Sequence, residues 1–245
     1  MLWYKSLREV AGVAVTGTAA IAVACVLIVI SQQSMRAQAD PAMTYVAYIW
    51  KSVYKTIGRD IFVMLSIILG SGGLLQERAQ GTAGFTLSLP VSRRRIVLAR
   101  AIAGYMGLLA IAAAPVVALP VASQSIGQHY PIGQALRFFF LWASCGAVFY
   151  GFTFLLAHRL EGQYTPVLLA VPSLMAYGVV LNLPWLSRQP MMNAFQIMNG
   201  ENMPFFDPSR HVIAGPLPAV SLLIMLAVGA TFIVLAARRI QPIDF

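Results

Sequence analysis

Long apolar stretches without a single charge recur along this chain, and each approaches the length that a bilayer demands. Residues 10–30 carry no charge, and 61–76 form a shorter run between Asp60 and Glu77. Residues 101–136 are long enough for one span and a loop, and 138–157, 162–187 and 212–237 complete the set. A hydrocarbon core about 30 Å thick needs roughly 20 apolar residues at about 1.5 Å each. The pattern predicts an all-α integral membrane protein, one transmembrane domain over 1–245, with six transmembrane helices near 10–31, 58–76, 97–120, 137–157, 165–184 and 217–237. The second run is marginal alone and must borrow from its flanks. The third contains Pro115 and Pro120, which either kink the helix or begin its exit. Composition agrees: 59% of the 245 residues are hydrophobic and 10% charged, against about 25% charged in soluble domains. A soluble fold of this size has no place to hide so much apolar surface.

The formal charge of +9 invites a nucleic-acid partner, but its distribution argues for a membrane instead. With the N-terminus in the cytoplasm, six spans place Lys5, Arg8, Arg78, Arg93, Arg94, Arg95, Arg100, Arg159, Arg238 and Arg239 inside. Arg36, Lys51, Lys55, Arg59, Arg137, Arg188 and Arg210 fall outside. Ten of the 17 basic residues thus lie on the inner side, as the positive-inside rule expects, and both termini are cytoplasmic. The basic residues read mostly as topology determinants and contacts to lipid headgroups, not as a nucleic-acid surface. The expected location is the cytoplasmic (inner) membrane.

Several local features carry expectations of their own. Lys5 and Arg8 precede the first apolar run, and Ala37-Gln38-Ala39 resembles a signal cleavage site. The run is longer than a signal core of about 7–15 residues, so it reads as an uncleaved first span. Residues 1–10 suit either a short interfacial helix or simply the start of span one. Gly12, Thr16, Ala20 and Ala24 repeat every four residues, a spacing that admits close helix approach, by default within the chain. Cys25 and Cys145 both fall inside spans and read as small packing residues. Tyr45, Tyr48, Trp50 and Tyr54 suggest an interfacial aromatic belt. Residues 184–215, with Trp185, Met191, Met192, Phe195, Met198, Met203, Phe205 and Phe206, are too apolar for an ordinary external loop.

A search for catalytic chemistry returns little. His129, His158 and His211 are dispersed without metal-ligand spacing, and no two of the acidic residues pair at helical spacing. There is no G-x-x-x-x-G-K-[ST] to cradle nucleotide phosphates, and Gly70-Ser71-Gly72-Gly73 lacks the lysine and reads as a packing element. The spans are nearly free of ionisable groups, which weighs against a proton-coupled pathway.

The most informative stretch lies between spans two and three, where 73–82 read GLLQERAQGT, 83–90 read AGFTLSLP and 91–96 read VSRRRI. Phe85, Leu87 and Leu89 alternate, which by period alone suggests a strand or an irregular piece. Pro90 would stop a helix there, and Ser92 is placed to cap the next one. The stretch resembles the ABC-2 type permeases, the membrane subunits of ATP-binding cassette transporters. In those proteins span two ends in a glutamate followed by Gly-Thr, and a short apolar piece closing in Leu-Pro-x-Ser-Arg leads into span three. Here the matching positions are Glu77, Gly81-Thr82, Leu89-Pro90 and Ser92-Arg93, with Arg100 where a basic residue often stands.

The resemblance implies a short cytoplasmic coupling helix that docks into a separate ATPase subunit. Gln76, Glu77, Arg78, Gly81, Thr82, Phe85, Leu89, Pro90, Ser92 and Arg93 would form the contact. It implies further that the chain is the permease half of an exporter, dimeric with an identical or related permease chain. The chain itself then needs no cofactor, because ATP is bound by the partner, and it is not an enzyme. The resemblance also suggests short re-entrant or interfacial helices in 184–215, which would gate the outer exit or simply pack on the span ends. A non-transporting membrane scaffold and, less readily, a polytopic membrane enzyme are the competing readings.

Overall fold

A computed structural model describes residues 2–32, 43–72, 93–160, 164–184 and 192–238. The first helix, α1, runs unbroken over Leu2–Ile30, so residues 2–10 continue into span one and are not a separate interfacial helix. Next come α2 (Tyr45–Ile49), a π-helical turn over Trp50–Lys55, and α3 (Ile57–Ser71). The long α4 (Arg93–Ser125) and α5 (Ile132–Ala157) follow, then α6 (Thr165–Leu181). A short α7 (Ala194–Asn199) and a two-stranded antiparallel ribbon, β1 (Phe206–Asp207) with β2 (Val212–Ile213), precede α8 (Ala219–Arg238). The chain is therefore an all-α bundle carrying one minimal ribbon.

Among the described residues, four stretches are long and apolar enough to cross a bilayer: Ser6–Ile30, Arg94–Ser125, Ile132–Ala157 and Ala219–Arg238. Thr165–Leu181 is a shorter apolar helix of 17 residues. At 15 residues, α3 is about 22 Å long and falls short of a core about 30 Å thick. A π-helical turn over Trp50–Lys55 precedes it across a break at Thr56 (φ −124°, ψ −104°). Pro115 and Pro120 both lie inside α4, which continues five residues beyond the second, so neither ends the helix. Each proline costs one backbone hydrogen bond, and a long helix packed on its neighbours can lose two.

α4 packs along α1, and α5 is sandwiched among α3, α4 and α8. The contact face of α1 is Ala14, Gly17, Ile21, Cys25 and Ile28. Gly12, Thr16 and Ala20 are exposed instead, which corrects the expectation that their spacing marks a contact within the chain. The reason is phase: the bulkier Ile21 and Ile28 fill the seam against α4 and turn the small residues away. Thr18, Ala22 and Val26 of α1 border a groove of about 660 Å³ shared with Ala113, Val117 and Val121 of α4. Thr18 turns its hydroxyl back onto the Ala14 carbonyl at 2.7 Å, leaving the groove apolar.

The aromatic residues of 45–54 depart further from expectation. Tyr45, Tyr48, Trp50 and Tyr54 are all buried, Tyr54 to 1% exposure, so they form interior packing and not an interfacial belt. The Tyr54 ring stacks on Phe138 with centroids 3.8 Å apart and meets Trp142 edge-on, while Trp142 stacks on Phe62. The Tyr45 and Ser123 hydroxyls lie 2.6 Å apart, and the Tyr48 hydroxyl donates to the Ile28 carbonyl at 3.1 Å. Inside a bilayer, apolar contact alone gives helices no preference over lipid. Such interhelical hydrogen bonds, about 0.6 kcal/mol each on average, and close van der Waals packing hold the bundle. Cys25 and Cys145 are free thiols buried in this interior.

Residues 192–218 cap one end of the bundle. Asn193 caps α7 by accepting from the Phe195 and Gln196 amides. Gly200, at φ +75°, ends it in the left-handed region, where glycine carries no side-chain penalty. The Trp50 indole donates to the Asn199 carbonyl at 2.8 Å, and its ring lies 5.1 Å from that of Phe206. Gln134 bonds both backbone groups of Ile213, and Arg137 donates to the Ile213 and Gly215 carbonyls. Met198, Met203, Phe205 and Phe206 are buried, which accounts for the apolar character of this stretch.

Candidate functional site

Segment 73–92 joins α3 to α4, and nine of the ten expected docking residues belong to it. Gln76, Glu77, Arg78, Gly81, Thr82, Phe85, Leu89, Pro90 and Ser92 lie outside the described residues; Arg93 begins α4. The two anchor points of the segment are well defined. α3 ends at Ser71, and Gly72 is extended (φ −66°, ψ 114°). Two residues before Gly72, Gly70 packs against α5 so tightly that a Cβ there would sit 2.6 Å from the Tyr150 carbonyl oxygen. This close approach is the packing role expected of the Gly-Ser-Gly-Gly run.

The start of α4 is fixed to its neighbours by polar contacts. Arg100, about 10 Å along the helix from Arg93 at 1.5 Å per residue, is the one charged side chain that is buried among the described residues. Its Nη2 lies 3.3 Å from Glu9 Oε2 on α1, with the arginine side chain 7% and the glutamate 38% exposed. One residue on, the Ala101 carbonyl accepts from the Tyr150 hydroxyl of α5 at 3.0 Å. Arg100 is thus an exception among basic residues that read mostly as headgroup contacts: its side chain is buried and paired within the bundle.

His158 closes the group at the end of α5. Its Nδ1 is 2.8 Å from the Phe154 carbonyl, and because a carbonyl only accepts, Nδ1 carries the proton. Nε2 is buried with no hydrogen-bond partner among the described residues. Burial holds the imidazole below its ordinary value of 6.5, the Phe154 carbonyl opposes that shift, and the nearby Arg100 charge adds to it. The starts of α1 and α4 and the ends of α3 and α5 thus meet at the end of the bundle from which segment 73–92 departs. Sequence reasoning missed Glu9, Tyr150 and His158. The available signal was Arg100 itself, a charge opening a 36-residue stretch without another, where an ionisable residue asks for a named partner.

The long apolar helices and their packing define a multi-pass integral membrane protein. Within that class, residues 10–239 match the family described as ABC-2 family transporter protein, and the chain belongs to that family. No curated protein matches the chain.

Proposed function

We propose that this chain is the permease subunit of an ATP-binding cassette exporter in the cytoplasmic membrane. In this reading six spans leave both termini in the cytoplasm, and a second permease chain completes the pathway. ATP is hydrolysed by a separate subunit seated on residues 76–93. The observation that carries the reading is family membership over 10–239, joined to the order Glu77, Gly81-Thr82, Leu89-Pro90, Ser92-Arg93 between α3 and α4. The four helix ends that meet beside this segment give any push on it a direct route into the bundle. ATP binding shifts the permease only through contacts that differ between its states, and the segment supplies the natural place for them.

The test is co-purification of the tagged chain from its native membrane, followed by ATP hydrolysis by the isolated complex. A protein with a P-loop should accompany the wild-type chain. Glu77→Ala should weaken subunit association and lower ATP hydrolysis by the complex. Gly81→Trp should do the same by bulk, with membrane insertion unchanged in both. A chain that brings down no ATPase refutes the permease reading and favours the scaffold. Variants with wild-type association and ATPase rate refute the docking role of the segment.

A further inference from the structure

From the burial and pairing of Arg100 we infer that it acts as a positioning residue, locking the starts of α1 and α4 into one body that moves with the docking segment. This rests on the permease reading above and adds the route by which motion leaves the segment. A charge two turns inside a membrane helix is costly, and such a residue asks for a role beyond packing. Arg100 is 7% exposed and held 3.3 Å from Glu9, whereas Arg94 and Arg95, nearer the helix start, are exposed. Arg100 is therefore not one more headgroup anchor.

The geometry around the pair fits a rigid joint. On the α5 side, the Tyr150 hydroxyl holds the Ala101 carbonyl, and Gly70 of α3 lies against the Tyr150 backbone. α3 and α4, the two helices flanking the docking segment, are thus both fixed to α5 at this end. The Glu9–Arg100 contact is the charged link that brings α1 into the same unit. Among the described residues the rest of the α1–α4 seam is largely apolar, and apolar contacts slide at little cost in lipid. The guanidinium end of this pair is buried while the Glu9 carboxylate is half-exposed, so sliding α1 past α4 would leave a buried arginine without this carboxylate, which is costly.

The test uses the complex purified with its own ATPase subunit in lipid nanodiscs, with C25A and C145A in the background. Spin labels go at Tyr4→Cys on α1 and Arg94→Cys on α4, both exposed positions. A second pair, Arg94→Cys with Tyr164→Cys, reports movement of α4 relative to the start of α6. With Arg100 present, ATP and vanadate should shift the 94–164 distance and leave 4–94 fixed. In R100Q the 4–94 distance should shift by about 2 Å or more, the scale of helix displacement in switching proteins, while the yield of assembled complex stays the same. E9Q, which removes the more exposed partner, should give the same result if R100Q assembles poorly. The exchanged pair E9R/R100E should restore a fixed 4–94 distance. A 4–94 distance that stays fixed in both single variants while 94–164 still shifts overturns the inference and leaves the permease reading standing. Failure of the exchanged pair to restore it overturns the ion pair as the joint. If nucleotide moves neither distance with Arg100 present, the permease reading falls and the inference falls with it.

Discussion

Replacing Gly229 by alanine should destabilise the bundle, although Gly→Ala inside a helix ordinarily stabilises it. α5 and α8 meet backbone to backbone at Ala147, Gly151 and Gly229. A Cβ on Gly229 would lie 2.5 Å from the Ala147 carbonyl oxygen and 2.7 Å from its carbon. A Cβ on Gly151 would lie 2.5 Å from the Gly229 oxygen. Real Cβ atoms essentially never come within 3.0 Å of a heavy atom, so the helices must part by at least the 0.5 Å difference between 3.0 and 2.5 Å. The clash is with main chain, so no side chain can rotate to relieve it. A radial gap of about 0.5–1 Å forfeits a quarter to a half of each dispersion contact along the seam. Overpacking of this kind costs about 1–3 kcal/mol, against a helix-propensity gain of about 0.5–1 kcal/mol. The net expectation is a loss of about 0–2.5 kcal/mol, centred near about 1 kcal/mol. Gly133, where an added Cβ meets nothing within 4 Å, supplies the opposite control, and Gly133→Ala should be neutral or stabilising. Thermal unfolding of both variants in one detergent checks the pair. Gly229→Ala melting at or above the wild-type temperature, with Gly133→Ala unchanged, refutes the close crossing. The double variant Gly151→Ala/Gly229→Ala should cost less than the two single effects added, because both open the same gap.

Two further expectations concern the ends of the bundle. Gln134→Ala removes both side-chain bonds to the Ile213 backbone; leaving a buried amide group unpaired costs about 1–3 kcal/mol. Hydrogen exchange in 192–218 should accelerate while α5 itself stays protected. At the other end, His158 is held below its unfolded value by burial, so the unfolded chain takes up the proton first as pH falls. Its contribution to stability is intact above about 6.5, the ordinary histidine value. It is lost as pH falls from there through the depressed folded value. Melting temperatures at pH 7.5 and 5.5 should differ more for the wild type than for His158→Gln, and an equal difference refutes the assignment.

The membrane class and the presence of long apolar helices were legible in the sequence, because apolar run length is a local property, and the family was legible through the order of residues in 77–93. The docking role expected of 76–93 rests on resemblance alone, since Phe85, Leu87 and Leu89 alternate in a way that composition does not resolve. The small-residue stripe on α1 and the aromatics of 45–54 were misread for a common reason. Spacing shows that residues share a face, and residue type shows what a face tolerates, but neither shows what lies opposite. In a chain whose neighbours are lipid on one side and helix on the other, both are apolar, and sequence does not tell them apart.

By itself, the sequence determined that this chain crosses a membrane several times and where its charges interrupt the spans. Only the tertiary structure decided which of those charges is withdrawn from the membrane surface. Arg93, Arg94, Arg95 and Arg100 look alike in the sequence, a basic cluster at the mouth of a helix. Arg100 differs because α1 and α5 close over it and Glu9 arrives from 91 residues away. Burial depends on what packs against a helix face, and pairing depends on which distant residue that packing delivers. Neither is encoded at the position itself.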